Sequence, residues 1–356
     1  MNITSQPARC RDELPIARFK QSPGDFKVCE LLGFELDGEG EHLWISVSKT
    51  GLNTRDVVDQ LADIFNTTAR DIGYSGLKDK NAITTQWFSV PLAIGLEVPV
   101  EIYSIDHTKI ARTTRSRKKL RSGSHRHNHF QITLRDLHDC REYLEPRLQR
   151  VRDEGFPNYF GKQRFGHGGR NVISARSMFQ RKQKLSRFKR GIYLSAARSY
   201  LFNKVLDVRV AQENWQTVLP GEVCVLDGSN SVFHCALPDD EIHQRHVDFD
   251  LHTSGPLHGR GRSLVTDAVQ QLELRCLEGE EILMAGLEQA GLKQERRALR
   301  AIAQDLSWRW LDETTLEIEV KLQRGVYATS LLEELVVLQE NENAPIAADS
   351  DTGDAE

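Results

Sequence analysis

Residues Thr315 to Leu322 read Thr-Leu-Glu-Ile-Glu-Val-Lys-Leu, alternating apolar and polar side chains at the two-residue period of a half-buried strand. That strand returns after a long stretch of helical spacing, far from the other strand-like segments. Those lie near the start. Phe26–Leu31 and Leu43–Val47 are rich in strand formers, and Gly38 and Gly40 between them predict a hairpin. Thr84 to Val90, Glu101 to Ile110 and His129 to Leu134 predict further strands. Asn53 or Thr54 caps a stretch with apolar residues at Val57, Val58, Leu61, Ile64 and Phe65, the spacing of an amphipathic helix.

After Asp139 the pattern changes to helical spacing over Glu142–Arg152, Val172–Phe179, Leu194–Val208, Leu264–Leu274 and Glu280–Leu287. The strand at 315–322 is then followed by a turn at Gly325 and a helix from Thr329 to about Leu338. The simplest account is an α+β chain whose last piece rejoins the first sheet, with the helical part inserted.

At 356 residues, with 39% apolar and 28% charged, the chain is long enough for two domains and has the composition of a folded soluble protein. Its longest uncharged apolar stretch, Val90 to Leu96, is far short of the roughly 20 residues of a membrane helix. Met1 to Arg11 holds no apolar secretory core, so the cytoplasm is expected. Cys10, Cys29, Cys140, Cys224, Cys235 and Cys276 form no CxxC pair and no zinc-type spacing, so buried reduced thiols and no metal are expected. The alternating His125, His127 and His129 would share one face of a strand. They sit in a basic run without carboxylates, which favours RNA contact or plain exposure over a metal.

The formal charge of −4 conceals a strong asymmetry. From Glu340 onward the tail carries six acids and no base; without them the balance becomes +2, and 340–356 is expected to be a solvated, disordered end. Between Asp106 and Asp136 no acid interrupts a block that includes Lys118, Lys119 and Arg121. Between Glu154 and Asp207 a second block includes Arg164, Lys182, Arg187, Lys189 and Arg190. One such block is usually a solvated face balanced by acids elsewhere in the fold. Two, interleaved with Tyr159, Phe160, Phe165 and Phe188, favour a nucleic acid gripped from both sides. A near-neutral total suits a shaped site for structured RNA better than indiscriminate coating.

Asp79 stands in Gly76-Leu77-Lys78-Asp79-Lys80-Asn81-Ala82, followed by Thr84 and Gln86. By position alone, an aspartate in a glycine-started turn is most often a cap. The segment, however, resembles the signature of the TruD family of pseudouridine synthases. So do Asn158–Gly166, Ser195–Asn203, Gly325–Thr329 and the opening strand Asp25–Glu30 with Lys20 upstream, in the family's order. Two departures stand out: Leu322-Gln323-Arg324 replaces the usual Leu-Pro before the last glycine block, and Tyr327 stands where Phe is common.

The resemblance implies a tRNA pseudouridine(13) synthase acting at U13 of the D arm, without metal or nucleotide cofactor, and expected to be monomeric. It implies a catalytic domain over 1–153 and 304–339 with a mainly antiparallel sheet, and a family-specific, mostly helical insertion over 154–303. Asp79 would be the catalytic carboxylate. Lys20 would pair with it, Phe26, Phe130 and Tyr327 would line the uridine pocket, and Asn128 would be a polar contact. Lys118, Lys119, Arg121, Arg164, Arg187, Lys189 and Arg190 are the expected RNA contacts. The alternative is a non-catalytic tRNA-binding or RNA-folding protein using the same basic surface. Gly166-His167-Gly168-Gly169 and Gly259-Arg260-Gly261 are short glycine loops that read as ordinary turns.

Overall fold

The computed structural model describes residues 14–181, 184–229 and 231–340. From residue 341 the expected tail lies outside the described residues, as do Cys10 and Lys182. In chain order the first elements are β1 (Ile16–Phe19), β2 (Phe26–Leu31), β3 (His42–Thr50), α1 (Thr54–Ile64), β4 (Gly73–Tyr74), β5 (Ile83–Pro91), β6 (Thr108–Ser116), β7 (His127–Arg135) and α2 (Arg141–Glu154). There follow β8 (Phe156–Pro157), α3 (Arg170–Arg181), α4 (Arg187–Ala211), β9 (Glu222–Leu226), β10 (Val232–Cys235), α5 (Asp240–Val247), β11 (Leu251–Leu257), α6 (Asp267–Cys276) and α7 (Glu281–Gln289). The last are β12 (Glu295–Ala298), β13 (Arg300–Ala301), β14 (Gln304–Trp310), β15 (Leu316–Gln323), α8 (Ala328–Leu332) and β16 (Val337–Glu340).

Two compact units divide these elements. One contains residues 15–146, 304–325 and 336–340; the other contains Leu14, 147–303 and 326–335. The first is built on a sheet of order β14-β15-β7-β2-β5-β3-β6, with β1 on β7 and β16, and β4 on β5. Pairing is antiparallel except for β2 with β5 and β1 with β16. The alternating segment at the chain's end does rejoin this sheet: Ile318, Val320 and Leu322 of β15 stand opposite Ile132, Phe130 and Asn128 of β7. Helix α1 lays Val57, Val58 and Leu61 against Ile45, Val47 and Phe88, forming a core on this sheet. Its start is fixed by the Asp56 carboxylate accepting the Asn53 N–H at 2.7 Å.

In the second unit an antiparallel sheet of order β10-β9-β11-β12 accompanies the helices. Its main core gathers Phe160, Phe165, Leu201, Phe202, Leu206, Trp215, Leu283 and Leu287 around α4.

Three sequence expectations need correction. The hairpin does not form: β5 lies between β2 and β3, and the 32–41 connection instead reaches β6, where Asp37 accepts the Arg117 N–H at 3.0 Å. A connection of that length exceeds the 2–5 residues of a tight hairpin. Glu101–Ile110 is not one strand, because Val100–Ser104 forms a 3₁₀ turn that buries Ile102 and β6 begins only at Thr108. The last helix stops at Leu332, and Val337 pairs with Ile16 in a parallel strand instead. The second unit also carries short strands that the helical spacing did not announce. The apolar run Val223-Cys224-Val225 has no period that separates a buried strand from a helix segment, and it proves to be strand β9.

Candidate active site

Asp79 sits in the connection between β4 and β5, and hydrogen bonds from the preceding elements set that connection's path. The Thr54 hydroxyl, at the start of α1, accepts the Lys78 N–H at 2.9 Å and donates to Gln86 Oε1 at 2.9 Å; Gln86 Nε2 donates to the Gly76 carbonyl at 3.2 Å. Gly51, at φ +73°, a backbone shape glycine takes without strain, donates its N–H to the Lys80 carbonyl at 3.2 Å. Beneath them lies Lys49 of β3, 1% exposed, its Nζ donating to the Leu52 carbonyl at 2.6 Å and to that of Asp79 at 3.1 Å. The Asp79 turn is thus pinned to the β3–α1 junction.

The Asp79 carboxylate points to Lys20, with which it forms a direct ion pair; the side chains are 29% and 12% exposed. Asp79 Oδ1 also accepts the Asn81 N–H at 2.9 Å. Burial pushes this carboxyl up, but the charge and hydrogen bond of Lys20, the Asn81 N–H and the Lys49 charge outweigh it and hold the group below the usual aspartate value. It is therefore ionised at neutral pH. Lys20 has a left-handed backbone (φ +55°), uncommon for a residue with a side chain. Its Nζ lies 4.4 Å from the centroid of the Phe26 ring and 5.3 Å from that of Phe19, so the ammonium is held between aromatic faces and a carboxylate.

Strand register brings the other expected residues of this unit together. Phe26 opposes Ile132, Val28 opposes Phe130, Glu30 opposes Asn128, and Val28 also opposes Thr84, itself opposite Lys49. Phe26 and Phe130 are each 7% exposed, with ring centroids 5.8 Å apart at 50°. Asn128 Nδ2 lies 3.3 Å from His125 Nε2, while its Oδ1 is buried with no hydrogen-bond partner among the described residues. An unpaired buried acceptor two residues along the strand from an aromatic ring suits a ligand that carries a donor.

Three features here escaped the sequence reading. Lys49 looks like any strand lysine at its position; only its place on the inward face, two residues before the turn at Gly51, hinted at burial. Lys78 has a partner the sequence did not suggest: its ammonium pairs at 2.7 Å with Glu30, whose carboxylate is fully buried. His125 is neither exposed nor on a strand with His127 and His129: it precedes β7, is 6% exposed, and its Nδ1 lies 2.6 Å from the Ser75 hydroxyl. Burial, with repulsion from Lys78, Arg324 and His127, pushes it down to about 4, so it is neutral at physiological pH. Among the described residues no cluster of three or more potential metal ligands occurs.

Tyr327 belongs to the other unit. There Arg164 donates to its hydroxyl through Nε at 2.9 Å and a terminal nitrogen at 2.6 Å, and to Ser195 Oγ at 2.8 Å. The Tyr327 ring lies 6.1 Å from Phe160. Arg164 is thus engaged within its unit, whereas Lys118, Lys119, Arg121, Arg187, Lys189 and Arg190 are exposed. The basic blocks are not uniform. Arg115 is spent on the carbonyls of Gly40, Leu92 and Leu96, Arg135 on Asp25, and Arg176 and Lys204 on Glu280.

The family model of tRNA pseudouridine synthase D (TruD) matches residues 15–175 and 173–335. A tRNA pseudouridine synthase D of Nitrosococcus oceani is 41% identical over 340 residues, covering 94% of this chain and 95% of the relative. One of Xanthomonas oryzae is 42% identical over 335 residues, covering 90% and 91%. A solved structure described as a putative tRNA pseudouridine synthase D from Methanosarcina mazei shares the fold, with a TM-score of 0.67 at 17% identity over 94% of this chain and 95% of that one. These matches define an isomerase. The chain belongs to the tRNA pseudouridine synthase D (TruD) family.

Proposed function

We propose that this protein converts uridine to pseudouridine in tRNA, at U13 of the D arm, with Asp79 as the catalytic carboxylate. The observation that carries the reading is the Asp79–Lys20 ion pair beside the ring of Phe26. Isomerisation requires the uracil to leave C1′, turn and rejoin through C5, so a site must supply an ionised carboxylate and a surface that holds a free base. A carboxylate kept ionised by a half-buried ammonium is available as nucleophile or base. Extruding a base from folded RNA costs a few kcal/mol, which stacking and edge hydrogen bonds offset.

Phe26 and Phe130 would supply the stacking, with Tyr327 as a third aromatic, and Asn128 Oδ1 would accept from the uracil N3–H. Lys118, Lys119, Arg121, Arg164, Arg187, Lys189 and Arg190 would hold the tRNA, the exposed six through phosphates and Arg164 by fixing Tyr327. The catalytic domain is read as 1–153 and 304–339 and the family-specific insertion as 154–303, in a monomeric cytoplasmic protein without a cofactor. Release of tritium from C5-labelled uridine in tRNA tests the assignment. Asp79→Asn should abolish it while tRNA affinity stays within about threefold; release at the normal rate would remove Asp79 from the chemistry.

A further inference from the structure

The Gly259-Arg260-Gly261 loop, an ordinary turn by its sequence, lines a cavity of 880 Å³ within the unit that contains residues 147–303. A side chain at Gly259 would come within 2.5 Å of the Lys293 backbone, so only glycine lets the two segments close up. Arg260 bridges to Lys293 there: its N–H donates to the Leu292 carbonyl at 2.7 Å and its carbonyl accepts the Gln294 N–H at 2.8 Å. That register brings Arg260, Arg262 and Lys293 to one cavity wall. Val232, Leu257 and Leu264 provide apolar surface in the same cavity.

Not every charge at this wall is available. Arg296 is engaged by Glu273 at 2.7 Å, and the cavity's one carboxylate, Glu295, is paired with Arg198 at 3.1 Å. Among the described residues no carboxylate pairs with Arg260, Arg262 or Lys293, although Arg260 Nε donates to the Glu288 carbonyl at 2.6 Å. Three uncompensated cations beside an apolar surface match the two halves of a nucleotide, phosphate and base face. The cavity lies within the roughly 300–1,000 Å³ range of small-ligand sites.

We propose that this cavity is a second RNA-contact site, separate from the carboxylate site, that holds unpaired nucleotides of the tRNA substrate. It rests on the reading of tRNA as substrate. Arg260, Arg262 and Lys293 neutralise phosphates while the Leu257 and Leu264 side chains pack against a base. The site takes no part in the chemistry and acts on affinity alone.

The test uses the full chain carrying Arg262→Ala and Lys293→Ala together, with its melting temperature checked against wild type. tRNA binding is measured from 50 to 200 mM salt, together with kcat and KM for tritium release. The expected result is a KM and Kd about tenfold higher, kcat within twofold, and a log–log salt slope smaller by about 0.7 to 0.9 for each phosphate no longer neutralised. Arg262→Lys with Lys293→Arg should restore the wild-type slope. Unchanged affinity and slope in the alanine variant, with wild type still binding and isomerising tRNA, would overturn the second site alone. A wild type that fails to bind tRNA would overturn the parent reading and this site with it.

Discussion

The state of Asp79 is decided by its immediate neighbours. Burial alone would raise this carboxyl, and the largest opposing influence is Lys20. Replacing Lys20 with Met removes that influence while keeping a side chain of similar length. The wild type, with Asp79 held below the ordinary aspartate value, should keep kcat/KM flat from neutral pH down to about pH 5. In Lys20→Met the acid limb should move up by a pH unit or more, with kcat at pH 7 reduced about tenfold or more; a profile that overlays the wild type would show that Lys20 does not set the carboxylate's ionisation. Stability follows the same sign. A depressed native value contributes stability above the unfolded value of about 3.9 that is lost as pH falls through the lower native one, so the variant should also unfold at a higher pH in an acid titration. Among the site residues, Asp79 and Lys20 were recognisable in the sequence through family motifs. Lys49 was not, since burial of a strand lysine depends on which face its strand turns inward.

At the level of elements, the Asp79 turn is held by strand and helix ends. Lys49 bonds the carbonyls of Leu52 and Asp79, and the Thr54 hydroxyl bonds Lys78. Lys49→Met should therefore let the turn move, and it also removes a charge that favours the ionised carboxylate while leaving the Lys20 ion pair in place. A displacement of about 1 Å in a reacting group can cost about 100-fold in rate, so kcat for tritium release should fall between about 10- and 100-fold while KM stays within threefold. Chemical denaturation should show a loss of about 2–3 kcal/mol, the scale of a buried hydrogen bond from a charged donor. A loss of stability with normal kcat would confine Lys49 to structure. Elements with local signals were legible: α1 from its capping residues and spacing, and β15 from its alternation. The positions that misled were those decided by distant partners. Whether β2 pairs with β3 or with β5 depends on a strand some fifty residues away, and the fate of Val337 depends on Ile16 at the other end of the chain.

For the whole molecule, the sequence showed where positive charge accumulates but not how much of it is free. The structure sorts the two blocks by partner: Arg135, Arg176 and Lys204 hold the fold through buried acids, whereas Arg187, Lys189 and Arg190 are exposed around the start of α4. No ion pair joins these three to a carboxylate among the described residues. Ser186 caps this helix, its hydroxyl accepting the Lys189 N–H, so the three side chains project from a well-formed first turn. A helix start already favours anions through its unpaired N–H groups, and three cations strengthen that field. If the tRNA phosphates lie here, Arg187→Ala, Lys189→Ala and Arg190→Ala combined should lower the salt slope of tRNA binding by about 2 and weaken binding at 150 mM salt by tenfold or more. The variant should melt as the wild type does, because none of these side chains is buried. A parallel substitution of Arg176, Lys204 and Arg135 should do the opposite, lowering stability through the abandoned carboxylates of Glu280 and Asp25 while leaving the salt slope almost intact. If the first variant keeps the full salt slope, the phosphate-binding surface lies elsewhere and the density of charge along the chain was a poor guide to its use.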